Sequence, residues 1–540
     1  MCFREVETGR LRRWTESTHQ AALPSASEGK GSSCMPVLRM LEVSGCVDCD
    51  PEEVSVTSSV QCEFCGAAGA EAWHTRGISP VQEMAEGCGA TYLLSTPATD
   101  ELPDDSTSGL APSMVIFCID VSASMHTSLK VTGNGSVTRL QCVQSAVSSQ
   151  LEALRKEQPD CVVVIVTFGG EVCVYTAGGN SSLVAQRAHA SEADLVAKGK
   201  ELGGSCTEKV ADVLERLQAT VGGLKPCGNT ALGPALAVAV GLASCRTGSK
   251  IVLCTDGMAN NGVGAIGDRN SVVPFYGDIG LRAAEEGTCI SIVTMEGEDC
   301  SMENLGICAD LTGGQVEMVD LQHLTLNSKV GAMLANPTLA TSLKITLIVG
   351  SHCSVRDADS DETRRRGSAC ISVRKLGSVT ARSDLTFELD TSTVLQAGAG
   401  ASSLPVQLQL HYTLPSGEEL LQVLTAQPLC SSSREEAEAD INGTAVALWG
   451  LHKAARLAQQ GTYRSARSEL ISTCRLLQRA MRDQAHQEAY LAFVVQAEKL
   501  DGFMRERELQ EQVLGSSSTA GQNGRDDDAS RSMYDNNNRK

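Results

Sequence analysis

Aromatic side chains and positive charge are both scarce in this sequence. Phe, Trp and Tyr make up 3% of the 540 residues, and 65 Asp and Glu outnumber 45 Lys and Arg to give a formal net charge of -20. Such a charge repels nucleic acid phosphates, and few rings are available to stack on bases. The short basic runs at residues 12–13 and 364–366 contain no aromatic residue. We therefore expect no nucleic acid ligand.

Long apolar runs are absent as well. The longest weakly polar segment, residues 232–245, falls short of the about 20 residues that a helix needs to cross a bilayer. No amino-terminal segment combines a basic start, an apolar run and a small-residue cleavage site, so we expect a cytoplasmic chain that reaches ER or vesicle membranes only peripherally. Thiols stay reduced in that compartment. Among the 22 cysteines, those within apolar runs are therefore assigned to the core: Cys118, Cys161, Cys173 and Cys254.

The chain divides into segments of different composition. Its two ends lack periodic apolar residues, which is typical of disorder. Between them follow paired cysteines, buried strands alternating with helices, short strands of alternating polarity, and apolar residues at helical spacing. The expected segments are a disordered start (1–40), a cysteine-paired ribbon (41–76), an α/β domain (112–335), a β-sandwich (336–430), a small helical bundle broken at Gly461 (433–512) and a disordered tail (515–540).

The α/β domain is expected to contain a doubly wound parallel sheet. Its strand-like segments are apolar on both faces and alternate with segments of helical periodicity, which places helices on both sides of the sheet. The expected strands are 114–120, 161–175, 250–255, 289–295 and 315–319, and the expected helices are 140–156, 208–221 and 277–286. The expected strands of the sandwich are 343–349, 370–373, 383–389, 406–412 and 420–424.

Five oxygen-bearing side chains lie next to these strands and helices. They are Asp120, Ser122 and Ser124 after the first strand, Thr230 before a helical segment, and Asp256 after the third strand. Ligands of doubly wound sheets bind at the carboxyl ends of strands, and carboxylate and hydroxyl oxygens suit Mg²⁺ or Mn²⁺. Because only the two acids carry charge, the cation's charge is only about balanced, which predicts binding of an Asp or Glu from a partner protein. The alternative is that the hydroxyls merely cap helices and the acids end strands.

Two Cys-x-x-Cys pairs lie in the ribbon segment. Cys46 and Cys49 form the first pair, and Cys62 and Cys65 form the second. Each pair brings two thiolates together, and four thiolates complete the tetrahedral shell of a structural Zn²⁺ site, which has no open position for catalysis. A redox dithiol and ordinary core cysteines are the alternatives.

The oxygen-bearing set resembles the metal-ion-dependent adhesion site (MIDAS) of the von Willebrand A family. That site consists of Asp-x-Ser-x-Ser, a distal Thr and a distal Asp. The residues that match it, in the same order, are Asp120, Ser122, Ser124, Thr230 and Asp256. The resemblance covers the whole α/β segment and implies a bound divalent metal that takes a partner carboxylate as its ligand.

The order of the modules resembles the inner-coat subunits of COPII vesicles. A zinc ribbon, a von Willebrand A trunk, a β-sandwich and a helical domain follow one another in residues 41–512, and the trunk region of circularly permuted Ras proteins is similar. The resemblance implies a cytosolic protein-interaction scaffold or, alternatively, a COPII-like coat or cargo adaptor in ER-to-Golgi transport that acts with a Ras-type small GTPase. The coat subunits generally lack the adhesion-site motif that this chain keeps. Residues 247–250 lack the upstream glycine of a phosphate loop.

Signals of an enzyme are weak. His-Glu-x-x-His is absent, the nine histidines are scattered, and no nucleophile elbow is found. His126 follows the metal loop and is the one candidate base, but we interpret it as a solvated loop histidine. We therefore expect a non-enzymatic protein.

Overall fold

The computed structural model describes short strands between residues 59 and 95, and the chain from 114 to 514 with gaps. The gaps are residues 132–134, 177–180, 186–190, 267–268, 296–301, 320–325, 336, 351–352, 357–361, 367–368, 381–382, 391–403, 427–432 and 440. The four paired cysteines and both ends that were expected to be disordered lie outside the described residues.

Strands and helices alternate in the middle of the chain, which continues with a group of strands and ends with a group of helices. The described strands are β1 (Ser59–Gln61), β2 (Ala68–Ala70), β3 (Pro80–Glu83), β4 (Gly89–Ser95), β5 (Met114–Asp120), β6 (Ser128–Val131), β7 (Gly135–Thr138), β8 (Val162–Phe168), β9 (Val172–Tyr175), β10 (Ser181–Ala185), β11 (Lys250–Thr255), β12 (Cys289–Met295), β13 (Val316–Val319), β14 (Thr338–Val349), β15 (Ser354–Val355), β16 (Glu362–Arg366), β17 (Ala369–Thr380), β18 (Leu389–Asp390), β19 (Val406–Thr413) and β20 (Glu419–Ala426). The described α-helices are α1 (Arg139–Glu157), α2 (Glu192–Gly203), α3 (Val210–Gly222), α4 (Leu232–Ala243), α5 (Arg269–Glu285), α6 (Met302–Thr312), α7 (Leu326–Ala335), α8 (Arg434–Ala439), α9 (Gly443–Gln459), α10 (Tyr463–Ala480) and α11 (Gln484–Leu514).

The first large sheet has the strand order β10-β9-β8-β5-β11-β12-β13. Strands β8, β5, β11, β12 and β13 pair in parallel, whereas β9 and β10 extend one edge through antiparallel pairs. Along the sheet, the connection from β5 to β8 runs toward one edge, whereas the connection from β11 to β12 runs toward the opposite edge. The crevice between the carboxyl ends of β5 and β11 is therefore a topological switch point. The parallel α/β sheet predicted from the sequence is confirmed.

Two apolar layers cover the faces of this sheet. Helices α2, α4, α5 and α6 contribute to one layer, with side chains such as Leu236 and Ile279. Helices α1, α3 and α7 contribute to the other, with side chains such as Leu151 and Leu217. Because strands β5, β8 and β12 are buried along their whole length, each needs an apolar residue at nearly every position, and this is why their sequences are continuous apolar runs.

Cysteines contribute to both layers as free thiols. Cys118, Cys161 and Cys254 are buried, and Cys173 is half-buried. Burial raises the pKa of Cys254 to about 12 and raises that of Cys118 as well. These thiols therefore stay protonated and pack as small apolar groups.

Helix α4 is buried on all sides. Every residue from Leu232 to Ala243 is shielded from solvent, as expected of a helix that is apolar around its whole circumference. Glycine lets α2 approach it closely, since a Cβ on Gly241 would lie 2.2 Å from the carbonyl oxygen of Val196. Its burial holds the Thr230 loop, which leads into α4, next to the sheet. Among the described helices, none combines the length and the apolar character that a membrane crossing needs.

The second large sheet is antiparallel, in the order β16-β17-β14-β19-β20-β4-β3. Strands β3 and β4 precede the α/β domain and the others follow it, so the α/β domain is inserted between strands of one sheet. The sequence predicted neither β3 nor β4. Val355 of β15 and Phe387, which precedes β18, join the apolar core on one face. Within the described residues, a sandwich of two comparable sheets is not confirmed, and residues 383–388 form no strand.

The last helices form a bundle that contacts the segment leading into β18. Helices α9, α10 and α11 share an apolar core that includes Phe493. Helix α9 ends just before Gly461, whose φ of +75° suits glycine, and this is the break that the sequence predicted. Lys453 of α9 forms ion pairs with Glu388, beside β18, and with Glu469 of α10.

Candidate functional site

Two buried acids lie at the switch-point crevice. Asp120 is the last residue of β5, and Asp256 follows β11, the parallel neighbour of β5. Both residues are 0% exposed. Two carboxylates can be buried side by side only if other groups hydrogen-bond or neutralise them. The groups that contact this acid pair therefore define the site.

Donors from the two strand ends satisfy three of the four carboxylate oxygens. The Ser122 amide donates to Oδ1 of Asp120 at 2.8 Å, and the Thr255 hydroxyl donates to Oδ2 at 2.7 Å. The Ser124 hydroxyl donates to Oδ1 of Asp256 at 2.7 Å. The hydroxyl oxygens of Ser122 and Ser124 lie 2.9 Å apart, and Ser122 is the donor because Ser124 has already given its proton to Asp256. Four of the five predicted residues thus form one hydrogen-bonded cluster.

Arg139 contacts the fourth oxygen. Its Nη1 donates to Oδ2 of Asp256 at 2.8 Å in an ion pair whose side chains are 6% and 0% exposed. Arg139 is the first residue of α1 and lies between Thr138 and Gln141, which form a capping box. A cation is unfavourable at the positive end of a helix dipole, and the contact with Asp256 offsets that cost. Sequence reasoning missed Arg139, and a basic residue at a helix start is the signal that could have found it.

Thr230 lies in a loop that is held at the same crevice. The loop is fixed through the backbone, where the Cys227 amide donates to the Val121 carbonyl at 2.6 Å and the Ala123 amide donates to the Gly228 carbonyl at 3.1 Å. Thr230 itself is 5% exposed. Among the described residues, however, its hydroxyl makes no hydrogen bond with the acids or serines of the cluster. The structure brings the loop to the site but does not join Thr230 to the network.

Glycine is required where this loop meets the end of β8. Gly228 has a φ of +78°, and a Cβ there would lie 2.7 Å from the amide nitrogen of Gly170. A Cβ on Gly169 would lie 2.4 Å from the carbonyl oxygen of Cys227. The two backbones therefore pack directly on each other, which sets the position of the Thr230 loop relative to the strand ends.

The two buried acids of the cluster carry more negative charge than Arg139 neutralises. Burial raises the pKa of Asp120, hydrogen bonds from Ser122 and Thr255 lower it, and the charge of Asp256 raises it again, which leaves the pKa at about 6. A cation beside Asp120 would relieve this cost, so the site fits a metal on electrostatic grounds. Arg139 already supplies one positive charge. The expectation that a divalent cation is balanced by the two acids alone was therefore incomplete, because the ionised cluster keeps only one net negative charge.

Exposed residues lie in or next to the cluster along the chain. Ser124, Asn229, Met258 and Asn260 are exposed, whereas the two acids are buried. Carboxylates and hydroxyls form a hard-oxygen donor set that suits Mg²⁺ or Mn²⁺. His126, the last residue of a 3-10 helix (Ala123–His126), is exposed, as expected of a solvated histidine.

Metal centres built from three or more His, Cys, Asp or Glu side chains are not found in the part of the chain that the structure describes. The oxygen cluster has a different composition, since it combines two carboxylates with hydroxyls. The zinc ligands expected from the sequence, Cys46, Cys49, Cys62 and Cys65, lie outside the described residues.

Comparison with known proteins finds a family model that matches the α/β domain and a relative that matches most of the chain. Residues 110–332 match the family described as the Sec23/Sec24 trunk domain. The circularly permutated Ras protein 1 of Dictyostelium discoideum is 26% identical over 464 residues, which are 82% of this chain and 53% of that protein. The chain therefore spans about half the length of this curated relative.

Solved structures show the same similarity at the level of the fold. The human COPII-coat protein Sec24c matches with a TM-score of 0.54 and 14% identity, over 90% of this chain and 66% of that chain. A von Willebrand factor type A protein from Catenulispora acidiphila matches with a TM-score of 0.43 and 13% identity, over 77% of this chain and 84% of that chain. The resemblances that the sequence predicted to the coat trunk and to the permuted Ras protein are confirmed.

Proposed function

We propose that this chain is a non-enzymatic scaffold that binds a partner protein through a divalent metal in a MIDAS-type site. The residues that would hold Mg²⁺ or Mn²⁺ are Asp120, Ser122, Ser124, Thr230 and Asp256. When bound, the cation supplies an exchangeable coordination position for an Asp or Glu of the partner. The observation that carries the proposal is the hydrogen-bonded cluster that joins both acids and both serines at the switch-point crevice.

The acids and the serines of the proposed site have different roles. The acids lie beneath the surface and supply negative charge, whereas the serines supply neutral oxygens that leave a bound cation attractive to an outside carboxylate. Ser124 is both exposed and bonded to Asp256, so it lies where the buried cluster meets solvent. Thr230 is the fifth donor of the proposal, held at the crevice by its loop.

The test is whether metal binding and partner binding need the acid pair. Titration calorimetry of the chelator-treated chain should detect Mn²⁺ binding that Asp120→Ala abolishes. Partners captured in Mg²⁺ should be released by EDTA and should not bind Asp120→Ala. Asp212→Ala removes an exposed acid of α3 and serves as the matched control. Partner capture that is indifferent to EDTA and to Asp120→Ala would count against the proposal.

A second candidate function is a COPII-like coat or cargo adaptor in ER-to-Golgi transport. It is supported by the trunk-domain match over residues 110–332 and by the likeness to human Sec24c across most of the chain. The relative named as a circularly permutated Ras protein supports a Ras-type small GTPase as a partner. In this role the chain would be cytoplasmic and peripheral at ER or vesicle membranes.

Sedimentation with liposomes separates the two candidates. A coat subunit should pellet with liposomes only when a GTP-loaded small GTPase is present, and Asp120→Ala should pellet equally well. A chain that never pellets under these conditions rules out the coat role and leaves the metal-dependent scaffold as the working function.

We further propose that Cys46, Cys49, Cys62 and Cys65 hold a structural Zn²⁺. Elemental analysis should then find about one zinc per chain, since four thiolates fill one tetrahedral shell. Cys46→Ser should lose the zinc, while Cys245→Ser, which removes an exposed thiol of the α/β domain, should keep it. Wild-type chain without zinc would contradict the proposal.

A further inference from the structure

A guanidinium lies inside the proposed metal site. Nη1 of Arg139 is 2.8 Å from Oδ2 of Asp256, although the two residues are 117 positions apart in the chain. The other oxygen of the same carboxylate accepts the Ser124 hydroxyl. Asp256 is thus shared between the proposed metal loop and a resident positive charge.

The position of Arg139 is fixed by its surroundings. Its backbone amide donates to the Thr127 carbonyl at 3.1 Å, and the capping box of Thr138 and Gln141 lies on either side of it. The next residue, Leu140, is buried in the core beneath α1. The backbone of Arg139 is therefore held at the start of α1, and its side chain is buried against Asp256.

Two opposite consequences follow for the acid pair. Without Arg139, the metal-free chain would bury Asp120 and Asp256 with no paired cation among the described residues, which is strongly unfavourable. With Arg139 present, a divalent cation that uses Asp256 is repelled by a positive charge across one carboxylate, and part of the negative charge it needs is already neutralised.

We propose that Arg139 is a built-in cation of this site, which holds Asp256 in place without metal and weakens the binding of Mg²⁺ or Mn²⁺. The inference rests on the proposed metal function but adds a residue that the five-member set does not contain. An ordinary structural ion pair makes a different prediction, because its loss would weaken folding and metal binding together. If Arg139 is a built-in cation, its loss should lower the stability of the metal-free chain but raise the affinity for the metal.

The test compares Arg139→Met with Arg139→Lys in the full chain. Calorimetric titration with MnCl₂ after chelator treatment should show Arg139→Met binding at least about tenfold more tightly than wild type, because cation repulsion at an intermediate dielectric is removed. Arg139→Lys keeps the charge, and its affinity for Mn²⁺ should stay within about threefold of that of wild type.

The second measurement is thermal denaturation in EDTA. Arg139→Met should be less stable than wild type, and the double variant Arg139→Met/Asp256→Asn should recover part of that loss. If Arg139→Met does not fold, Arg139→Gln, whose amide can still donate to Asp256, takes its place.

The outcomes separate this inference from the function on which it rests. Wild type and Arg139→Met that bind Mn²⁺ equally, or a weaker Arg139→Met, overturn the inference and leave the metal site standing. Tight binding by Arg139→Met beside weak or undetectable binding by wild type supports the inference. If neither protein binds Mn²⁺, both the inference and the proposed metal site are wrong.

Discussion

The hydroxyl of Thr255 donates a 2.7 Å hydrogen bond to Oδ2 of Asp120. The two residues end the parallel neighbours β11 and β5, and both are 0% exposed. Thr255 and the Ser122 amide replace the water that an exposed carboxylate would have. These bonds lower the pKa of Asp120 but do not offset burial, which leaves the pKa at about 6. Asp120 is therefore costly to the metal-free chain near neutral pH.

Asp120→Asn is expected to separate stability from metal binding. An uncharged amide avoids the cost of burying a carboxylate, so in EDTA near neutral pH the free energy of unfolding should rise by roughly 1–2 kcal/mol. The increase in melting temperature that Mn²⁺ gives wild type should disappear, because a neutral amide in place of the carboxylate removes half of the site's acidic charge. Thermal denaturation with EDTA and with Mn²⁺ measures both effects.

Asp120→Ala is the control for this substitution. Alanine removes the charge but also leaves the Thr255 hydroxyl and the Ser122 amide without their acceptor, so it should lose both stability and the response to metal. If Asp120→Asn lost as much stability in EDTA as Asp120→Ala, the buried charge would not be the dominant cost at this position.

Asp120 is expected to contribute stability to the metal-free chain that increases as the pH falls. The pKa of Asp120 is raised from 3.8 to about 6 on folding, so the folded chain binds this proton more tightly than the unfolded chain. The corresponding stability is present below about pH 4 and is lost as the pH rises through about 6. The two pKa values correspond to about 3 kcal/mol. Urea unfolding in EDTA across this range measures the change.

The pH dependence of stability that is due to Asp120 is obtained by comparing wild type with Asp120→Asn. His486 also has a raised pKa, mainly because it contacts the Ile441 carbonyl and also because of Asp483, so it too contributes stability that falls with rising pH. Subtracting the profile of Asp120→Asn from that of wild type removes this contribution. A difference that does not change between about pH 4 and pH 7 would show that Asp120 titrates normally.

Continuous apolar strands could be predicted from the sequence because both of their faces are buried. Strands β5, β11 and β12 lie where the apolar runs indicated, and α1 begins at a capping box. Strand β4 was missed because its sequence, Gly89–Ser95, does not alternate apolar and polar residues. It pairs with β3 and with β20, which lies on the far side of the inserted domain.

The site was predictable to the extent that its residues are close in sequence or follow strand ends. Asp120, Ser122 and Ser124 form a local motif, and a strand register places Asp256 beside it. The role of Arg139 depends on how α1 is packed, which a helical pattern does not specify. Thr255 was counted as one more strand residue, because nothing in the sequence shows that its hydroxyl faces a carboxylate.

Gly228→Ala is expected to displace the Thr230 loop. A φ of +78° is strained for alanine, and its Cβ would lie 2.7 Å from the Gly170 nitrogen, so the loop backbone must shift. The free energy of unfolding should fall by roughly 1–3 kcal/mol. Mn²⁺ affinity should fall if Thr230 is a ligand, and calorimetric titration measures it.

Gly222→Ala is the matched control for the loop. Gly222 is the last residue of α3, and a Cβ there would meet no heavy atom within 4 Å. Its stability should change by no more than about 0.5 kcal/mol. If Gly228→Ala folds less stably but binds Mn²⁺ with wild-type affinity, Thr230 is not part of the metal site.

Gly377→Ala is expected to disturb the contact between the α/β domain and the second sheet. A Cβ on Gly377 of β17 would lie 2.6 Å from the Cβ of Ala284 in α5 and 3.1 Å from the carbonyl oxygen of Leu311 in α6. Because neither helix can move without disturbing the sheet core, overpacking here should cost roughly 1–3 kcal/mol. In urea, the α/β domain and the second sheet should unfold with broader or separate transitions.

Gly502→Ala in α11 is the control, since its Cβ would meet nothing within 4 Å. Alanine there should leave the stability unchanged or raise it slightly. A Gly377→Ala protein that unfolds like wild type would show that the domains are joined by contacts elsewhere.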